Sequence, residues 1–250
     1  MNRFNKQEKI KNKQESFRQN TAKLAGVFGH MSPLYKQRRR YGYSHNEAIS
    51  ASLSHYGDHA KIPEKDRNML HLLSKLNEFI LAQNEINEMN RDNSRLSTRE
   101  KQRINNLKNN FLIPFNHTLK EVINDNPNVG FGEFTGSLVR NYIYLYSKDN
   151  ELGVGRGQEA QFALHAVEQA TNGMRHELAT ETMLDAAGVE YSYDTSIDDD
   201  RYGTDLYVKI DNTWYGIDIK ASNLGEKAAR DKFRGSMAIS TGLNVSDFNG

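Results

Sequence analysis

The stretch GTDLYVKIDNTWYGIDIKAS, Gly203 to Ser222, constrains the fold more than any other part of the chain. Two short runs rich in Tyr, Val, Ile and Trp flank the pair Asp211-Asn212. Such runs read as strands and such a pair as a tight turn, so the segment is expected to fold as an antiparallel hairpin. The hairpin carries Asp205 near the start of its first strand, and Asp218 and Lys220 near the end of its second. Strand interiors disfavour Asp, so these positions need a reason.

Strand geometry supplies one. Side chains alternate along a strand, so Asp218 and Lys220 point to the same face. Asp205 and Asp218 flank the turn by about seven and six residues, which lets them meet across the ladder. Two close carboxylates repel unless a cation lies between them. A hard divalent ion with oxygen ligands, most naturally Mg²⁺, satisfies both. A neighbouring Lys balances charge and can orient or help deprotonate a metal-bound water. The pattern is that of a site for phosphodiester hydrolysis.

The rest of the chain differs in character. It has no cysteine, which removes disulfides, Cys-based zinc sites and thiol catalysis and agrees with a reducing cytoplasm. No run of eighteen apolar residues occurs, so no membrane span is expected. The net charge of +1 hides an asymmetry: the first 45 residues carry 11 basic against 2 acidic groups, and residues 174–250 carry 8 against 14. A basic arm beside a carboxylate-rich segment suits a polyanion-binding part next to a part that gathers carboxylates. Within the arm, YKQRRRYGYS (Tyr35 to Ser44) interleaves Arg38, Arg39 and Arg40 with tyrosines, a composition for phosphate contact and base stacking.

From Pro63 the pattern turns helical. Met69, Leu72, Leu73, Leu76, Phe79, Ile80 and Ile86 recur at three- and four-residue spacing, an amphipathic stripe that predicts core or dimer contacts. Ser97 with Glu100 predicts a capping box, and the helix it opens is expected to run to Pro114. Gly153, Gly155 and Gly157 form a hinge ahead of a helix through about Thr171, with Arg156 placed to touch a phosphate. A further helix of about a dozen residues from Met174 is expected to end near Gly188. His55 and His59 lack the Glu of a zinc-protease helix. Asp198 to Arg201 read as a solvated loop, His176 as a bystander and Trp214 as packing.

Asp205, then Asp218-Ile219-Lys220, preceded by a Glu-bearing helix, resembles the PD-(D/E)XK nuclease superfamily, with its restriction-endonuclease-like and Holliday-resolvase-like fold. The family's order is a helix with a Glu, a strand, a second strand starting with Asp, a third ending in Asp/Glu-x-Lys, a helix and a strand. Residues 174–250 follow that order, with a helix expected over GEKAARDKFRG and a last strand over SMAIST. Thr204 stands where the family has proline. The resemblance implies that Asp205, Asp218 and the Ile219 carbonyl hold Mg²⁺, with Mn²⁺ able to substitute. Glu177 binds metal directly or through water, with Glu181, one turn on, as second choice. Lys220 positions the attacking water, Ser222 and Asn223 contact the scissile phosphate or substrate, and Arg175 pairs with a phosphate.

The expected architecture is therefore α+β: an α-helical N-terminal region and a C-terminal α/β restriction-endonuclease-like core with a mixed four-stranded sheet. Residues 1–62 form a basic, partly disordered arm, residues 63–173 an α-helical nucleic-acid-docking or dimerisation region, and residues 174–250 the nuclease core. The expected activity is Mg²⁺-dependent endonucleolytic cleavage of DNA, as a nick or a double-strand cut, in the cytoplasm (the host's, if the chain is phage-encoded). The rival expectations are an inactive nucleic-acid-binding module of the same fold and an RNA-cleaving effector. A homodimer through the helical region is the expected assembly.

Overall fold

The computed structural model describes residues 3–92, 96–149, 151–193, 205–220 and 237–240, and of residues 3–11, 92, 220 and 237–240 the backbone alone. Among the described residues the chain is mainly helical with one small sheet, an α+β architecture. It divides into two compact units, Met1–Ala170 and Thr171–Gly250.

The described elements of the first unit are all helices. α1 (Arg3–Ala25) runs into a π-helical segment, Gly26–His30, and is followed by α2 (Pro33–Arg40), α3 (His45–His59) and α4 (Glu64–Asp92). α5 (Thr98–Leu107) continues through a second π segment, Lys108–Leu112, into α6 (Ile113–Asp125), and α7 (Phe131–Tyr146) precedes α8 (Arg156–Ala187). α3 and α5 both open on capping boxes, Ser44 with Glu47 and Ser97 with Glu100, which satisfy the first orphan N–H groups of each helix. The stripe on α4 is buried as its spacing demands: Met69, Leu72, Leu73, Leu76, Phe79, Ile80 and Ile86 all lie in the core. Phe79 stacks on Phe115 of α6, ring centroids 3.9 Å apart.

Two glycines set how closely these helices approach. A Cβ on Gly57 of α3 would fall 2.7–2.9 Å from the His71 ring of α4, and one on Gly29 would fall 2.8 Å from Leu145 Cδ2 of α7. Gly29 also breaks the helical path between α1 and α2 (φ −89°, ψ −107°).

In the arm at residues 1–62 the described backbone is helical from Arg3, and Phe17, Leu24, Ile49 and Leu53 are buried. Two expectations change here. Pro114 does not end a helix. The π turn before it leaves it in the first turn of α6, where a missing N–H costs nothing. The two helices expected on either side of residue 173 are one, α8, which runs unbroken for 32 residues.

In the second unit α8 ends at Gly188, whose φ of +65° is the left-handed conformation glycine adopts at a helix end. The strands are β1 (Tyr191–Ser192), β2 (Leu206–Ile210), β3 (Thr213–Lys220) and β4 (Met237–Ser240). β1, β2 and β3 are antiparallel neighbours, and β4 runs parallel along the far side of β3, Asp218 opposite Ala238. Asp211 (φ 48°) and Asn212 (φ 61°) make the two-residue turn of β2–β3, both in the left-handed region that such hairpins require. The turn fixes the register, Ile210 opposite Thr213 and Leu206 opposite Ile217. Leu206, Val208, Ile217 and Ile219 then share one face and pack with Leu184 of α8.

Candidate active site

Because Leu206, Val208, Ile217 and Ile219 take the apolar face, alternation puts Asp218 on the other. Asp218 is 1 % exposed, in the middle of the sheet between β2 and β4. Asp205 stands just before β2 and clasps β3 at two points. Its N–H donates to the Ile217 carbonyl at 2.8 Å. Its Oδ2 accepts from the Ile219 N–H at 2.6 Å, the short distance of a charge-assisted bond. The two bonds bracket Asp218, so both aspartates come to the same end of the hairpin. In an extended strand a residue's N–H and C=O point to the same side. The Ile219 carbonyl therefore faces the edge that Asp205 occupies.

The helical carboxylates have different surroundings. Glu177 and Glu181 lie one turn apart on α8. Burial and a hydrogen bond to the Glu181 carboxylate push the Tyr193 phenol far above its ordinary value. Burial, with Asp185 second, pushes Tyr191 up as well. Glu181 thus helps hold the segment after β1 against α8. Among the described residues no group of three or more His, Asp or Glu side chains gathers closely enough to hold a metal ion. Glu177 does not join the aspartate pair there as a third ligand. The donors the hairpin does present, two carboxylates and a main-chain carbonyl, are all oxygen and fit a hard divalent ion in kind.

The remaining predicted residues fall elsewhere. Lys220 ends β3, two residues beyond Asp218, and its side chain lies outside the described residues. Ser222, Asn223, the acidic loop at 198–201 and the helix expected at 225–235 also lie outside them. Arg175 is only 2 % exposed and desolvation lowers its guanidinium pKa, so it is an internal residue of α8 and not a surface contact for phosphate. Arg38, Arg39 and Arg40 form the last turn of α2, in the other unit. There Arg39 donates to the Tyr43 carbonyl at 2.6 Å and Arg38 lies over the Tyr43 ring. Trp214 is 43 % exposed and meets Lys209 across the hairpin, so it is a surface pair and not core packing. His55 and His59 touch edge to face at 4.6 Å.

Residue reading missed the clasp, because only the ladder register shows that an Asp outside the strand can reach the N–H of Ile219. It also missed the Glu181–Tyr193 hydrogen bond. The one available signal was the tyrosine pair in VEYSYD, which follows the helix directly.

No protein-family model, curated protein or solved structure matches this chain.

Proposed function

We propose that the chain is a divalent-metal-dependent nuclease acting on DNA, with its active site at the open end of the β2–β3 hairpin and a restriction-endonuclease-like core around it. The observation that carries this reading is the clasp. Asp205 bonds β3 at Ile217 and Ile219, on both sides of Asp218, so the two aspartates stand at the same end of the hairpin, two residues before Lys220. In this reading Asp205, Asp218 and the Ile219 carbonyl hold Mg²⁺, with Mn²⁺ as a substitute. A bound ion would polarise the phosphodiester and acidify a water. The chain's own part is positional. The Ile219 N–H fixes the Asp205 carboxylate, the sheet fixes Asp218, and Lys220 would supply positive charge for the attacking water or the phosphate. Glu177 on α8 is assigned as an outer ligand through water. One such site cuts one strand, so a monomer nicks.

The rival reading is a nucleic-acid-binding module of the same fold that does not cleave.

The test is incubation of labelled single-stranded DNA, duplex DNA and structured RNA with Mg²⁺ or with chelator. Metal-dependent shortening of DNA supports the proposal. Shortening of RNA alone moves the substrate to RNA. Intact polymers with all three, under Mg²⁺ and Mn²⁺, favour the binding module.

A further inference from the structure

Two grooves on the helical unit share Tyr144 of α7. One, about 400 Å³, is lined by His30, Ile143, Tyr144, Ser147, Lys148 and Arg156. The other, about 390 Å³, lies between α1 and α7 and includes Arg18, Arg140 and Tyr144. Neither is lined by any Asp or Glu. The chain as a whole has 33 basic and 32 acidic residues, so a lining with basic but no acidic side chains is a local feature.

The cations differ in their commitments. Arg140 is 2.9 Å from Glu133, and Arg18 is 3.8 Å from Glu15. Lys148 and Arg156 form no ion pair among the described residues. Between the two sets sits the Tyr144 ring, 51 % exposed. One flank of it is fixed by His30, whose ring meets it edge to face at 4.8 Å and whose Nε2 bonds the Tyr144 carbonyl at 2.8 Å. Met31, also exposed, lies beside it at Gly26.

An exposed, braced aromatic ring between two basic grooves suits one kind of occupant. A nucleobase can stack on the ring while its flanking phosphates meet the cations. A duplex hides its base faces and would gain nothing from the ring. We propose that this face binds single-stranded nucleic acid, with a base on Tyr144, one phosphate between Lys148 and Arg156, and the strand continuing past Arg140 and Arg18. This goes beyond the catalytic reading and does not depend on it, since it concerns binding by the helical unit.

The test is fluorescence anisotropy of the full chain with labelled oligo-dT, oligo-rU and a duplex hairpin at low salt. The expected result is that single strands bind, and that Tyr144→Ala weakens them by roughly 5- to 100-fold. Tyr144→Phe should bind as the parent does, and duplex binding should be unmoved by either change. Lys148→Ala with Arg156→Ala should lower the salt slope by about 0.7 for each phosphate no longer neutralised. The proposal is overturned if the parent binds neither oligo-dT nor oligo-rU, or if Tyr144→Ala and the Lys148/Arg156 variant both bind as the parent does.

Discussion

Asp205 does two jobs that substitutions can separate. Its carboxylate satisfies the Ile219 N–H, and a hydrogen bond to a charged acceptor contributes about 1.5–3 kcal/mol. Asp205→Ala is expected to cost that much, read as a fall in the urea midpoint of the second unit. Asp205→Asn keeps an acceptor oxygen and should cost less, yet it removes the charge a metal needs. Nuclease activity should therefore disappear in both, and stability fall mainly in the first. The sequence made it legible that Asp205 and Asp218 stand at the same end of the hairpin, because the turn position fixes which residues lie opposite. It could not show that the Asp205 oxygen faces the main chain, since that depends on where the ladder ends.

His45 gives a second prediction at this scale. It is fully buried. Its Nε2 faces the Leu145 carbonyl at 2.7 Å, which can only accept, so Nε2 carries the proton and Nδ1 accepts from the Tyr35 hydroxyl at 2.8 Å. Desolvation holds its pKa below the ordinary imidazole value, with the Leu145 carbonyl opposing that shift. The unfolded chain therefore binds the proton more readily than the folded one. Stability is intact above about pH 6.5 and falls as the pH drops from there through the lower folded value. Thermal melts from pH 7.5 to 5 should show this fall, with a shallower slope for His45→Gln. An equal slope in both proteins would assign the effect to other groups.

Among the elements, what was legible follows from how local the signal is. The α4 stripe and the Ser97–Glu100 box are set by residues within a turn or two of each other, and both stand in the structure. Ser97→Ala should cost about 1 kcal/mol through removal of the cap. The continuity of α8 through Asn172-Gly173 and the π segment before Pro114 were not legible. Local propensity disfavours both, and tertiary packing decides them. The buried role of Phe17 and Leu24 on the polar α1 was hidden for the same reason. The packing of α3 on α4 offers a direct check. A side chain on Gly57 must displace the His71 ring, so Gly57→Val should destabilise the helical unit by about 1–3 kcal/mol, measured by chemical denaturation.

At the scale of the whole molecule, the chain joins a helical unit to a smaller unit built on the end of α8 and a sheet. The change from helical to strand-like periodicity was visible in the sequence, and so was the shift from basic to acidic composition. The grooves around Tyr144 were not, because they assemble from α1, α7 and the start of α8. On the proposed reading the smaller unit cleaves and the helical unit holds the strand.

The most direct measurement of that reading is cleavage of supercoiled plasmid by the parent chain, Asp218→Asn and Lys220→Ala, each with Mg²⁺ and with chelator, after circular dichroism has shown equal helix content. The expected result is nicked product from the parent with Mg²⁺ only, and a rate at least about 100-fold lower for both variants. Cleavage by the parent that survives chelation, or that persists undiminished in both variants, would contradict a metal-dependent site at the end of the hairpin.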